Sequence, residues 1–295
     1  MTPETAWRTG RLHSSKGPQR LLFGRMYEDA EIERAAFAGR GRIFCIASAG
    51  STALALATEH EVVACDINPV QLEYAKRAAA GGAAETGDAE RAMQFARFFM
   101  PLMGWRKALL SDFLSLDDLD AQSEFWKRHL DTRRFRAAFD ALLSRPILRA
   151  AYAAPFLSFL PEKFGPVLRK RLARGFARHK NASNPFARSL LLGESKLANP
   201  RVNQNIQFVL ADAASWLESC PEGSFEGFAL SNILDGAAPS YRERLLRAVR
   251  RAAGDNAVAV LRSFAEPPAG FAGNRAESDR SLLWGIVDVR NAGAF

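Results

Sequence analysis

Acidic residues end or closely follow two apolar runs of this sequence, at positions where a nucleoside could be bound. Asp66 ends the run EVVACD, sixteen residues after Gly50, and Asp212 follows the run IQFVL after one alanine. A carboxylate about twenty residues beyond a glycine turn typically accepts hydrogen bonds from ribose hydroxyls. The second carboxylate could read the amino group of adenine. Together the two positions predict a site for an adenine nucleoside.

A turn of small residues precedes Asp66 and extends this prediction. Residues 47–51 read ASAGS, so a ligand could closely approach the backbone N–H groups and the start of the next helix. The turn has one glycine where a pyrophosphate-binding turn needs three, which favours S-adenosylmethionine over a dinucleotide such as NAD. The cofactor-binding residues expected from these patterns are Ala47, Ser48, Ala49, Gly50, Asp66, Ile67, Asn68, Asp212, Ala213, Ser231 and Asn232.

The elements that must position these residues alternate between strands and helices. Residues 42–48 and 61–66 are short, apolar runs, as expected for buried strands of a parallel sheet. Residues 52–58 predict a helix, and Asn68 with Pro69 is an N-cap and first-turn pair that opens another helix through residue 77. This order is a βαβ unit. It predicts an α/β protein with the Rossmann-like fold of class I S-adenosylmethionine-dependent transferases.

The same reading divides the 295 residues into three parts. Further strands are predicted at residues 206–210, 227–230, 257–264 and 282–289, and further helices at residues 21–37 and 241–253, the latter stopped by Gly254. Between the two groups of strands the chain has only irregularly broken helical patterns. The predicted division is an N-terminal helical arm at 1–40, a Rossmann-like cofactor-binding domain at 41–80 and 201–295, and a helical insertion at 81–200.

The insertion concentrates the positive charge of the protein, whose formal net charge is +8. Residues 166–179 form an amphipathic helical pattern with leucines and a phenylalanine on one face and cations opposite. Such a helix could lie in the headgroup region of an anionic bilayer. It could equally pack its apolar face on the protein core. The sequence leaves both interpretations open.

Cysteine and histidine usage bears on compartment and metals. Three cysteines without CxxC spacing predict small buried side chains in a reducing compartment. Four scattered histidines predict that the protein holds no metal. With no apolar run long enough to span a bilayer and no secretory pattern near Met1, we expect a cytoplasmic protein, with a peripheral place on the inner membrane face left open.

Several stretches of the chain resemble one known family. They are FGRMYEDAEIE at 23–33, IASAGSTALALA at 46–57, DINPVQL at 66–72, NPFARSLLLG at 184–193, SNILDG at 231–236, RSF at 262–264 and DRSLLW at 279–284. In these stretches the sequence resembles the betaine-lipid synthases, which transfer a 3-amino-3-carboxypropyl group from S-adenosylmethionine to diacylglycerol. The resemblance implies that activity, that cofactor and a lipid acceptor. It also implies that Tyr27 and its two neighbours pack near the methionine end of the cofactor.

An enzyme of this kind needs a proton acceptor and a cation for the cofactor carboxylate. Glu28, Asp235 and His179 are the candidate bases. Each also has a structural alternative: helix capping for Glu28, a turn for Asp235 and an exposed place on a basic helix for His179. Arg25 and Arg262 are the candidate carboxylate ligands, because guanidinium binds carboxylates through two hydrogen bonds.

Two other functions are consistent with the sequence. A methyltransferase would use the same fold and cofactor, since only the carbon that faces the acceptor differs. A basic nucleic-acid-binding protein would fit the net charge. It is not expected, however, because the phenylalanines of the insertion lie in apolar company rather than between polar base-reading residues.

Overall fold

The computed structural model of this protein describes residue 7 and residues 17–151, 157–194 and 205–295. Its centre is a six-stranded sheet in the order β3-β2-β1-β4-β5-β6. The first five strands in that order are parallel, and β6 is antiparallel to β5. The strands are β1 (Arg42–Ile46), β2 (Glu61–Asp66), β3 (Ile206–Leu210), β4 (Phe225–Ala229), β5 (Ala253–Ser263) and β6 (Ile286–Asn291).

The central strands are buried because both faces of the sheet are covered. Phe44 of β1 packs on one face with Phe228 and Leu245, whereas Ile43 packs on the other with Phe37. The covering helices are α1 (Glu31–Phe37), α2 (Ser51–Leu56), α3 (Pro69–Ala79), α11 (Ala213–Ser219) and α12 (Pro239–Ala252). Apolar runs without alternation are the pattern of such doubly covered strands. The mixed α/β architecture with a mostly parallel sheet is therefore confirmed, and it is compatible with a Rossmann-like fold.

In the described part of the chain between α3 and β3, every regular element is a helix. Its α-helices are α4 (Asp88–Phe98), α5 (Lys107–Leu114), α6 (Leu119–Phe125), α7 (Arg133–Leu142), α8 (Arg145–Ala151), α9 (Phe164–Phe176) and α10 (Pro185–Leu192). They enclose a second apolar core in which the rings of Trp105 and Phe135 stack at 4.2 Å and Phe113 meets Phe176 edge to face. None of the helices in the described ranges is long and apolar enough to cross a membrane.

Several predicted elements are wrong in extent or setting. Strand β1, predicted to end at residue 48, ends at Ile46, and β5, predicted from residue 257, begins at Ala253. The helix predicted at residues 21–37 begins only at Glu31, because the chain before it is held in an extended course by long-range hydrogen bonds. The last strand begins at Ile286 rather than 282, since Leu282 has a φ of +73° that a strand does not accommodate. Gly254 does not stop a helix: α12 ends at Ala252, and the glycine already belongs to β5.

The amphipathic pattern at residues 166–179 belongs to a helix of the core. In α9, Leu172 and Phe176 are buried in the second core. Arg171 is buried as well, and its guanidinium donates to the carbonyl oxygens of Leu283 at 2.9 Å and Phe264 at 2.9 Å. The apolar face of α9 is thus covered by protein, which decides between the two interpretations that the sequence left open.

Candidate functional site

A cleft opens at the carboxyl ends of the parallel strands, beside the point where the strand order reverses between β1 and β4. In open α/β sheets this switch point is where ligands bind. The cleft measures about 710 Å³ when its open mouth is included. It is lined by Trp7, Leu22, Phe23, Ile46, Ser48, Cys65, Asp66, Ile67, Asn68, Gln71, Ala211, Asp212, Ala213, Ser231, Asn232, Ile233 and Tyr241.

Many of the residues expected to bind the cofactor lie on this wall, and the rest lie behind it. Those on the wall are Ser48, Asp66, Ile67, Asn68, Asp212, Ala213, Ser231 and Asn232. Ala47, Ala49 and Gly50 belong to the turn itself and are buried. Gly50 has a φ of +86°, and a Cβ placed on it would lie 3.3 Å from the Cβ of Ala75. Its role is therefore to let the turn pack tightly on α3.

Asp66 holds the turn in place at the centre of the cleft. Its Oδ2 accepts from the backbone N–H of Ser48 at 3.0 Å, and its Oδ1 accepts from that of Asn68 at 2.9 Å. Burial raises the pKa of this carboxyl to about 6, although these two N–H groups and that of Ile67 oppose the shift. A carboxylate has about four acceptor positions, so Asp66 can still accept a hydrogen bond from a ligand.

Asp212 has a structural role in addition to its place on the cleft wall. It caps α11 by accepting from the N–H of Ser215 at 2.9 Å, and Arg244 lies 3.7 Å from its Oδ2. A carboxylate with about four acceptor positions can cap a helix and contact a ligand together.

The backbone is strained at the tips of the two strands that flank the switch point. Ser48 follows β1 with a φ of +44°, and Ser231 follows β4 with a φ of +52°. Left-handed conformations of residues other than glycine cost free energy, and they cluster at functional sites. Both serines line the cleft. The strain indicates that this edge is built to hold two hydroxyl groups in set positions.

An extended segment at residues 20–29 crosses this edge of the sheet, and only Arg25 and residues 27–29 of it were expected near the cofactor. Gln71 of α3 accepts from the N–H groups of Leu22 and Phe23, both at 3.1 Å, and donates to the carbonyl of Phe23 at 2.8 Å. Further along the segment, the hydroxyl of Tyr74 donates to the carbonyl of Gly24 at 2.7 Å. The segment forms one wall of the cleft because α3 presents this row of polar side chains.

We expect Gln71→Leu to loosen that wall. Gln71 is 2% exposed, so the substitution leaves buried N–H and carbonyl groups of the segment without partners. It should lower the free energy of unfolding by about 2–3 kcal/mol. Urea denaturation measures the loss, with Gln94→Leu on the exposed face of α4 as the matched control. Equal stability of the two variants would contradict this role for Gln71.

Arg262 lies in a buried cluster of charges, not on the cleft wall. Its Nε donates to Asp279 at 3.0 Å, its Nη2 donates to Glu33 at 3.0 Å, and its Nη1 is 3.6 Å from Glu28. The guanidinium is 0% exposed. The expectation that it binds a cofactor carboxylate is therefore wrong, because its donors are already taken by three acids of the protein.

Glu28 is the member of this cluster that reaches toward the cleft. One of its oxygens accepts a short hydrogen bond from the hydroxyl of Ser231. Burial raises the pKa of Glu28 to about 7, Arg262 lowers it, and the neighbouring Glu33 raises it again. One arginine cannot neutralise three buried carboxylates, so the cluster favours a proton on one of them. Glu28 can thus exchange a proton near neutral pH through a hydroxyl that lines the cleft.

The other two candidate bases are engaged elsewhere. Asp235 accepts from the hydroxyl of Ser263 at 2.6 Å and from the N–H of Phe264 at 3.1 Å, which ties the end of β4 to the end of β5. His179 pairs through Nε2 with the carbonyl of Glu277 at 3.0 Å and does not line the cleft. A carbonyl only accepts, so Nε2 carries the proton. Of the three, Glu28 alone accepts a hydrogen bond from a hydroxyl that lines the cleft.

Arg25 and Tyr27 belong to the crossing segment but do not line the cleft. Arg25 donates to the hydroxyl of Ser189 at 3.1 Å and to the carbonyl of Gly193 at 3.0 Å. Tyr27 is buried, and its carbonyl accepts from the indole of Trp284 at 2.9 Å. Both residues join the segment to other parts of the protein.

Comparison with protein families, with curated proteins and with solved structures finds no match for this chain. Among the residues that the structure describes, no three or more His, Cys, Asp or Glu side chains are grouped to hold a metal ion.

Proposed function

We propose that this protein is an S-adenosylmethionine-dependent transferase of the class I fold that moves a 3-amino-3-carboxypropyl group to a lipid hydroxyl, with diacylglycerol as the acceptor. The observation that carries the proposal is the pair formed by Glu28 and Ser231 at the rim of the switch-point cleft. A buried carboxyl with a pKa of about 7 is matched to accepting a proton at neutral pH.

The residues of the cleft fit a nucleoside better than a dinucleotide. The N–H of Thr52, in the first turn of α2, already donates to the sulfur of Met26 at 3.4 Å, which leaves this helix start one N–H group fewer for a pyrophosphate. Asp66 retains acceptor capacity for ribose hydroxyls. Ile46, Ile67 and Ile233 supply apolar surface for a planar base.

The chain's own contribution to the reaction is to orient the acceptor and remove its proton. When bound, S-adenosylmethionine supplies an electrophilic carbon next to its sulfonium. The acceptor hydroxyl would pass its proton to the oxygen of Ser231 while Ser231 passes its own proton to Glu28, as the new C–O bond forms and the C–S bond breaks. The neutral thioether leaves, and the released proton is held by Glu28.

The transferred group is the part of the proposal that rests on the resemblance to betaine-lipid synthases. A methyltransferase would use the same cleft and the same proton path. Incubation of the protein with S-adenosylmethionine and diacylglycerol in mixed micelles, followed by mass spectrometry, separates the two. We expect methylthioadenosine and an aminocarboxypropyl lipid. S-adenosylhomocysteine would indicate methyl transfer, and absence of both products would overturn the proposal.

We expect Asp66→Asn to weaken binding of S-adenosylmethionine about tenfold or more. An amide has one acceptor oxygen, so it cannot serve the N–H groups of Ser48 and Asn68 together with a ribose hydroxyl. Because the pKa of Asp66 is about 6, affinity of the wild-type protein should also rise as the pH increases through 6.

Isothermal titration calorimetry measures both effects of this change. Glu61→Gln is the matched control, since Glu61 begins the same strand at the opposite edge of the sheet and is exposed. Unchanged affinity in Asp66→Asn would place the ligand elsewhere.

A further inference from the structure

The three most exposed large apolar side chains of the described ranges lie together at the end of α4 and in the turn that follows. Phe95, Phe98 and Leu102 are 66%, 78% and 63% exposed. Single exposed apolar residues are ordinary, but adjacent protruding phenylalanines usually mark an interaction surface. We call Phe95, Phe98, Pro101 and Leu102 the apolar tip.

The apolar tip is held rigidly by the second core. The ring of Phe99 contacts Phe95 at 5.0 Å and Phe98 at 5.4 Å, in both cases edge to face. Phe99 itself packs against the second core together with Met100. The exposed rings therefore hold one arrangement, which reduces the conformational entropy that they lose when they insert into an apolar environment.

Unpaired cations flank this tip on two neighbouring elements. Arg106 and Lys107 follow it in sequence, and Arg133 and Arg134 begin α7, whose Phe135 stacks on Trp105. All four cations are exposed, and within the described part of the chain none of them makes an ion pair. Exposed apolar side chains flanked by positive charges match the apolar interior and anionic headgroups of a bilayer. Two copies of this surface would instead oppose their positive charges.

The same helix connects the apolar tip to the cleft. At the start of α4 the N–H groups of Asp88 and Ala89 donate to the carbonyls of Leu21 at 3.0 Å and Leu22 at 2.9 Å. Leu22 lines the cleft. From Ala89 to Phe98 the helix rises roughly 14 Å. A bilayer that receives the tip would thus lie about one helix length from the cofactor cleft.

We propose that Phe95, Phe98 and Leu102 insert into an anionic bilayer and that Arg106, Lys107, Arg133 and Arg134 contact its headgroups. The inference rests on the proposed function in one respect: an enzyme that acts on a lipid acceptor must approach the bilayer that contains it. The proposed membrane-facing surface is therefore α4 and the turn after it, and not residues 166–179, which pack on the core.

The test is co-sedimentation of the full chain with vesicles of phosphatidylcholine and phosphatidylglycerol at 70:30. We expect Phe98→Ser to weaken binding about tenfold and Phe95→Ser/Phe98→Ser about a hundredfold. Arg106→Gln/Lys107→Gln should weaken binding roughly tenfold on these vesicles and have little effect on pure phosphatidylcholine. Leu210→Ser, which removes a 57% exposed leucine at the end of β3, is the control and should bind like the wild type.

Several outcomes would overturn the inference. The first is equal vesicle binding by the wild type and Phe95→Ser/Phe98→Ser, and the second is a wild type that does not bind vesicles. The third is a dimer of the wild type that is lost only in Phe95→Ser/Phe98→Ser. If Phe95→Ser/Phe98→Ser lost binding to a single-stranded oligonucleotide but kept binding to vesicles, the tip would be assigned to nucleic acid instead. Unchanged thermal unfolding of Phe95→Ser/Phe98→Ser checks that the fold is intact.

Failure of docking and failure of the proposed function are distinguishable. Calorimetry with S-adenosylmethionine reports on the cleft alone, and we expect the double variant to bind this ligand as the wild type does. Vesicle binding that depends on the tip, in a protein without affinity for S-adenosylmethionine, would uphold docking and remove the transferase. The reverse pattern would uphold the cofactor site and remove docking.

Discussion

Glu28→Gln is expected to slow group transfer by a factor of about 10²–10⁴ while affinity for S-adenosylmethionine stays close to that of the wild type. Glutamine keeps the size of the side chain and can still accept from the hydroxyl of Ser231, but it cannot take up a proton. The loss should therefore appear in kcat. Glu31→Gln is the matched control, because Glu31 lies three residues away on the exposed side of α1.

The pH dependence of the wild type gives an independent test of the same role. A base must be unprotonated to act, so the rate should increase as the pH rises through about 7, the pKa of Glu28. Glu28→Gln should lack this rise. A variant that retains the wild-type rate, or a wild-type profile without a step near pH 7, would assign proton removal to another group.

Stability should show the opposite trend with pH. The pKa of Glu28 is raised from 4.5 in its ordinary state to about 7 in the folded protein, so the native state holds the proton more tightly. This contribution to the free energy of unfolding is fully present below about pH 4.5 and is lost as the pH rises through 7. Denaturant unfolding at pH 5 and pH 8 should reveal the difference, and Glu28→Gln should reduce it.

Arg262→Leu is expected to lower the free energy of unfolding by about 3–5 kcal/mol. Glu33 and Asp279 are both 0% exposed, and without the guanidinium their charges would be buried and unpaired. Arg262→Lys should also lower the free energy of unfolding. The planar guanidinium of arginine donates to Asp279 and Glu33 together, and the ammonium of lysine cannot reproduce that geometry.

An exposed ion pair provides the control for this prediction. Arg128 donates to Glu124 at 2.8 Å on the surface, and Arg128→Leu should change stability by less than about 1 kcal/mol. Urea denaturation of the variants measures the comparison. An Arg262→Leu protein with wild-type stability but no affinity for S-adenosylmethionine would contradict the structural role and restore the ligand-binding one.

The parts of the fold that were predictable are those that neighbouring residues decide. Strand β2 has the predicted bounds because a continuous apolar run can be covered on both faces only as a central strand. Asn68 caps α3 and Pro69 begins it, as predicted, since a cap needs only the residues that follow it. The carboxyl ends of parallel strands share one edge, so Asp66 and Asp212 necessarily came together there.

The features that were not predictable depend on partners far apart in the chain. The segment at residues 20–29 resembled the start of a helix, but Gln71 and Tyr74 hold it extended from about fifty positions away. No local sequence pattern predicts such long-range hydrogen bonds. A polar row on α3, at 68, 71 and 74, was the one signal that the face of this helix had a buried polar partner.

The candidate bases and arginines illustrate the same division between sequence and structure. From the sequence, Glu28 lies in the predicted first helix, Asp235 follows a predicted strand and Arg262 lies within one, and their polar side chains made each a candidate. Tertiary structure alone decided that Arg262 is surrounded by three acids, that Asp235 joins two strand ends, and that Glu28 reaches Ser231. The physical reason is that backbone conformation follows from adjacent residues, whereas burial and electrostatic environment are set by groups that only folding brings within a few ångströms.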